Sequence, residues 1–223
     1  PWIKGSYYRL FYQINLSNAF LRETTDEKLA ERRCDAALVD KMKEYRAEAR
    51  FLRALNYWYL LDLYRNVPLV TEDSAIGEKV LPSQVTPQEL YDFIETELTE
   101  SLKGLPTRTT QFGRFDKGLA YTILMKYYMH EKNWAKAEEC GRELLKAEYG
   151  YGLMDRYADI FTLENEGNKE IIFACTEERG TNLQLWHDHA LPGNYPTKNA
   201  SIQKWDGYKV PWPFYRTFEE GDD

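Results

Sequence analysis

The amino-acid sequence predicts a mainly α fold, with helical hairpins up to about Tyr149 and an irregular, loop-rich side after them. Three observations carry this expectation. Apolar residues recur at helical spacing in a series of segments before Tyr149. Thr86, Pro87 and Glu89 form the start signature of one of those helices. From Gly180 onward helix signals vanish, and "WHDHALPGNYPTKNASIQKWDGYKVPWPFYRTFEE" holds four of the nine prolines and three of the six tryptophans.

The elements follow in order. "SYYRLFYQINLSNAFL" places Tyr7, Leu10, Phe11, Ile14 and Leu21 close to one helical face. A second helix is expected over about Val39–Arg65, with Arg46, Arg50 and Arg53 in a stripe and Phe51, Leu55, Trp58 and Leu61 on its other faces. A helix apolar on most sides needs neighbours on most sides. It stops at Val67-Pro68, because a proline drives the residue before it out of the α region. In "VTPQELYDFIETEL" Thr86 is the N-cap, Pro87 the first helical residue and Glu89 the reciprocal partner of a capping box. A fourth helix spans about Asp116–His130. Asn133 caps a fifth, on which Ala137, Cys140, Gly141 and Leu144 make a small-residue face. The short link between these two makes them an antiparallel hairpin. With its tyrosine, Trp134 and Ala137, it resembles a tetratricopeptide unit. "LLDLY" returning as "LMKYY" 64 residues later is about two such periods. "NKEIIFACTE" reads as a short buried strand near 170–174. The expected organisation is a helical scaffold over 1–179 and a loop-rich, aromatic-rich part of the same domain over 180–223.

Composition excludes several classes. With 43% hydrophobic and 29% charged residues the chain should fold. A net charge of -7 and the lack of any Lys/Arg stripe argue against nucleic acid. No run of about 18 apolar residues is present to span a bilayer as a helix. Cys34, Cys140 and Cys175 are odd in number and have no C-x-x-C spacing, so they are read as small residues rather than as a disulfide or zinc framework. The chain opens at "PWIKGSYY" without Met and ends at "FEEGDD", as a fragment would.

"AEARFLRALNYWYLLDLYRNVPLVTE" resembles the signature of the SusD/RagB family of nutrient-binding outer-membrane lipoproteins: an E-A-R-F-L-R-A helix with a V-P-L-V exit. Other stretches match in the same order. "TPQELYDFIETELTESLKGLP" is similar to the family's next helix, "GRFDKGLAYTILMKYYMHEKNWAKAEE" to its G-R-x-x-K-G hairpin and "YADIFTLENEGNKEIIFA" to its E-I-I-F strand. "FYRTFEEGDD" and the N-terminal Trp2, Tyr7 or Tyr8, and Asn15 or Asn18 also fit. The resemblance implies tetratricopeptide-type helices with an irregular ligand-binding side, a fragment lacking the family's lipid-bearing Cys and far C-terminal part. It also implies surface exposure through a lipid anchor in the outer membrane, a SusC-like TonB-dependent transporter as partner, and non-catalytic capture of glycans or other nutrients. The alternative is an intracellular tetratricopeptide scaffold that binds peptides, which leaves the proline-aromatic tail unexplained.

The signature helix reads as scaffold, with Glu48, Arg50 and Arg53 satisfying charge beside buried aromatics. His187-Asp188-His189 would put two histidines on one face of a strand, but two ligands do not make a metal site. No nucleophile motif or phosphate-cradling glycine loop is present, so neither a cofactor nor an enzyme activity is expected. The pairs Glu177-Glu178 and Glu219-Glu220 lie in solvated acidic runs with nothing to raise a pKa. The tail differs. Trp186, Tyr195, Trp205, Tyr208, Trp212, Phe214 and Tyr215 lie among Pro, Gly and Asn, where rings that cannot all reach a core become exposed platforms. A flat indole suits the C–H face of a sugar, and neighbouring Asn, Asp and Lys suit its hydroxyls. The expected ligand-binding residues are Trp205 first and Trp186 second, with Tyr208, Tyr195 and Trp212.

Overall fold

A computed structural model describes residues 2–75, 77, 82–177, 186–198 and 202–218. The chain divides into two compact units, Pro1–Ala174 and Cys175–Asp223. The first holds helices α1 (Trp2–Glu23), α2 (Asp26–Glu31), α3 (Ala36–Tyr64), α4 (Pro87–Ser101), α5 (Lys117–His130) and α6 (Trp134–Leu144). Three 3-10 turns follow, at Ala147–Tyr149, Tyr157–Phe161 and Leu163–Asn165.

Helix α3 packs on α1 on one side and α4 on the other, and α5 packs on α6. Ile14, Phe51, Ala54, Tyr57, Leu60, Leu90, Ile94, Leu98 and Ala120 have no exposed surface at the centre of this core. Helices α2 to α6 each start on a side-chain cap. Asp35 accepts Leu38 N–H at 2.8 Å and begins α3 three residues before the expected Val39. Thr86 and Glu89 form the expected capping box, Asp116 caps α5 and Asn133 caps α6. Helix α2, capped by Thr25, is an addition to the expected set.

The E-A-R-F-L-R-A pattern is a set of grips on other elements. Arg50 and Arg53 stand one helical turn apart and hold the same carboxylate, Glu97 of α4. Arg50 donates to its Oε1 at 2.8 and 3.1 Å, and Arg53 Nε donates to its Oε2 at 2.9 Å. Arg53 Nη1 also reaches Asn18 Oδ1 of α1 at 2.7 Å and pairs with Glu72. Arg53 is 1% exposed and Glu97 2% exposed, so each of these buried charges has its counter-charge. Glu48 is not their partner. It makes a two-pronged pair with Arg114 at 2.9 and 2.5 Å, and Arg114 in turn lies over the Tyr45 ring.

The V-P-L-V exit is pinned from both helices. Arg65 turns the chain at φ 64°, and Val67 is buried. The Tyr57 hydroxyl donates to Val70 C=O at 2.9 Å and accepts Val70 N–H at 2.8 Å. Asn18 donates to the same carbonyl, and Arg22 to the carbonyls of Glu72 and Ser74. Burial pushes the Tyr57 phenol up to about 12, so it stays a donor at neutral pH.

Two expectations are corrected, one in each unit. Residues 170–174 do not form a strand, and the described residues contain only an isolated bridge, Pro68 to Gln84. A strand needs a ladder partner. Here Phe173 is held by side-chain packing instead, its ring 5.8 Å from that of Phe115, which lies 4.9 Å from Phe51. In the second unit Cys175 is exposed, whereas Cys140 is buried against the core. That unit holds the short helices α7 (Trp186–Ala190) and α8 (Trp212–Tyr215).

Candidate functional site

The aromatic residues singled out in the tail all belong to the second unit. Its framework is a pairing of the end of α7 with residues 205–208. Asp188 C=O accepts Trp205 N–H at 2.7 Å, and Leu191 C=O accepts Asp206 N–H at 3.1 Å. His189 C=O accepts both Gly207 N–H at 2.7 Å and Tyr208 N–H at 3.2 Å. Asp206 turns the chain at φ 50°. Gly207 passes so close that a Cβ there would lie 3.3 Å from His189 C=O. This tight backbone fit places Trp205 and Tyr208 against one imidazole. The His189 ring lies 4.5 Å from that of Trp205, edge to face, and 5.4 Å from that of Tyr208.

Both rings remain open to solvent, Trp205 at 46% and Tyr208 at 55%. Trp205 Nε1 donates to Gln203 Oε1 at 2.7 Å, which fixes the indole's orientation. Lys209 pairs with Asp206 at 3.0 Å. Lys204 donates to Tyr195 C=O at 2.7 Å, so Tyr195, itself half exposed, is tied to the residue beside Trp205. Trp212 is 69% exposed at the start of α8 and packs edge to face with Tyr215 at 5.6 Å. Phe214 pairs with Phe218 at the same distance. Trp186 opens α7, but its side chain lies outside the described residues, as do Glu178, Glu219 and Glu220.

The strand expected at His187-Asp188-His189 is absent, because these residues lie in α7. That removes the same-face geometry two chelating histidines would need. His189 is the member of the aromatic cluster that sequence reasoning missed. Its relation to Trp205 and Tyr208 depends on a loop closure that no local pattern announces. A rigid ring cluster with amide, ammonium and carboxylate groups at its edge can hold a flat, hydroxyl-bearing ligand by stacking and hydrogen bonds.

The first unit has its own concavity, about 390 Å³, lined by Leu16, Phe20, Tyr45, Leu52 and the Glu48–Arg114 pair. The charged groups there already satisfy one another.

Comparison with known proteins agrees with these features. A SusD-like family, described as starch-binding and associating with the outer membrane, matches residues 3–129. The starch-binding protein SusD of Bacteroides thetaiotaomicron is 33% identical over 170 residues, which cover 73% of this chain and 28% of that protein. SusD-like protein P25 of Formosa agariphila is 25% identical over 169 residues, 75% of this chain and 30% of that protein. The chain therefore spans under a third of the length of either relative. Among solved structures, a laminarin-binding SusD-like protein aligns with a TM-score of 0.65 and 30% identity, over 76% of this chain and 36% of that one. Surface glycan-binding protein A from Bacteroides uniformis shares the fold over 97% of this chain and 47% of its own, with a TM-score of 0.76 at 21% identity. With a family match across more than half of its 223 residues, and with that family's signature helix doing identifiable structural work, the chain belongs to the SusD-like family.

Proposed function

We propose that this chain is part of a non-catalytic, cell-surface glycan-binding protein of the outer membrane that passes its ligand to a SusC-like TonB-dependent transporter. The observation that carries the reading is the exposed Trp205–His189–Tyr208 cluster, whose rings are held by backbone hydrogen bonds rather than buried in a core. Family membership supports the ligand class and the location, since the family is described as starch-binding and associated with the outer membrane. The names of two relatives point to glucans, starch for one and laminarin for the other. Trp205, Tyr208, Tyr195, Trp212 and Trp186 are the proposed contacts.

A lipid anchor outside this sequence and the transporter partner rest on the family resemblance. A binder held outside the cell delivers nothing without a channel beside it. The test uses maltoheptaose and laminarihexaose as probes. Calorimetry should give binding in the micromolar to millimolar range, about what two or three stacking rings and a few hydrogen bonds leave after association costs. Prolonged incubation should release no reducing ends. The full-length protein, purified from membranes, should bring a TonB-dependent transporter with it. Hydrolysis of the probe, or recovery of the full-length protein from the cytoplasm, would overturn the reading.

A further inference from the structure

The cavity of about 390 Å³ in the helical unit is lined by α1, α3 and the segment that leads into α5. Its size falls within the roughly 300–1,000 Å³ of small-molecule sites. Most of its surface is carbon, from Phe20, Tyr45, Leu52 and Phe115, while Ser17 and Ala49 are small enough to leave the space open. The aromatic walls are held from behind. The Phe115 ring packs on those of Phe51 at 4.9 Å and Phe173 at 5.8 Å. Arg114 lies over the Tyr45 ring at 4.8 Å and is itself fixed by its two-pronged pair with Glu48. A site built before its ligand arrives leaves little to be ordered on binding. Ser17 stands apart in this lining. Other helical hydroxyls, those of Ser6, Ser101 and Thr122, donate to a carbonyl three or four residues back. Ser17 is only 5% exposed, yet its hydroxyl has no hydrogen-bond partner among the described residues and keeps its accessible surface on the cavity.

We infer that this cavity is a second binding site, for an uncharged small molecule built on a ring and carrying a hydroxyl, with Ser17 as its hydrogen-bond partner. The inference is independent of the glycan reading, which concerns the other unit. The lining selects the ligand class. Glu48 and Arg114 neutralise each other, so an ionic ligand finds no free counter-charge in that pair. A glycan would turn most of its hydroxyls onto carbon, where they lose their bonds to water without replacement. A ring with one hydroxyl places its apolar body against Phe20, Tyr45, Leu52 and Phe115 and its polar group against Ser17. A hydroxyl largely withdrawn from water favours the ligand that completes its hydrogen bond.

The test is an NMR titration of the intact chain with p-cresol and with toluene, which has the same ring and methyl group but no hydroxyl. The unsubstituted protein should bind p-cresol at one saturable site with a Kd of about 0.1–1 mM, as a ligand of this size allows. S17A removes the hydroxyl and little else. It should weaken p-cresol about three- to tenfold, the worth of one hydrogen bond, and leave toluene unchanged. A49F fills the cavity and should abolish the binding of both, its melting curve being checked; A49L serves if A49F melts early. Absence of saturable p-cresol binding, binding that the filled variant leaves unchanged, or an S17A variant that treats p-cresol and toluene alike overturns the inference. Self-association of the chain in sedimentation that A49F abolishes would make the cavity a contact between copies, and overturns it equally.

Discussion

Arg53 carries a full positive charge at 1% exposure, and its hydrogen bonds to Glu97, Asn18 and Glu72 reach three separate parts of the chain. Removing Arg53 leaves Glu97 with Arg50 alone, and removing the Glu97 charge leaves Arg53 with Glu72 alone, so either change strips a buried charge of one of its partners. Arg53→Met or Glu97→Gln should therefore cost about 3–5 kcal/mol in urea unfolding. Tyr57→Phe deletes a hydroxyl that both donates to and accepts from Val70, and should cost about 1–3 kcal/mol through the N–H it leaves bare. Trp205 presents the opposite case. A sugar covering about 50 Å² of its face, at about 25 cal/mol per Å², gains on the order of 1 kcal/mol. Trp205→Ala should weaken glucan binding by about five- to tenfold. The melting temperature should stay nearly unchanged, because the ring is outside the core. A variant that melts early but binds normally would make Trp205 a structural plug.

At the level of elements, what the sequence discloses is what is local. The capping box at Thr86 and Glu89 and the cap at Asn133 each place cause and effect within a few residues, and both are present, whereas the helix expected to stop at Val67-Pro68 ends at Tyr64, where Arg65 turns the chain at φ 64° ahead of the proline. Arg53 is visible in the signature, but its partners Glu97 and Glu72 are 44 and 19 residues away, and no spacing rule selects them over Glu48. The strand expected in E-I-I-F fails for the same reason: β pattern in one segment says nothing about whether a partner segment exists. In the tail, the aromatic content is legible, while the turn through Asp206 that gathers Trp205 and Tyr208 around His189 is not. Gly118 is a further long-range dependence. A Cβ there would sit 2.0 Å from the Tyr151 hydroxyl and 2.8 Å from its ring. That ring is stacked near Tyr149 and under Arg108, so it has little room to move. Gly118→Ala should cost about 1–3 kcal/mol by overpacking at the start of α5. Adding Tyr151→Ala should make the alanine at 118 harmless, and thermal melts of the single and double variants would check it.

At the scale of the whole molecule, the acid sensitivity of the helical unit has a defined source. Burial raises the Glu72 pKa, but the hydrogen bond and charge of Arg53 outweigh this and hold it below its ordinary 4.5. A carboxylate depressed in the folded state contributes stability that is present above its unfolded pKa and is lost as pH falls through the folded value. Unfolding free energy should therefore decline on acidification below about pH 4.5, and Glu72→Gln should flatten part of that decline. The second unit carries the proposed function, and a single experiment bears on it most directly: calorimetric titration of maltoheptaose and laminarihexaose into the unsubstituted chain and into Trp205→Ala with Tyr208→Ala, with reducing ends assayed in the same samples. The account predicts micromolar to millimolar binding of at least one glucan, its loss in the double variant without loss of fold, and no release of reducing ends. Binding that survives the double substitution unchanged, or cleavage of the bound glucan, would contradict it.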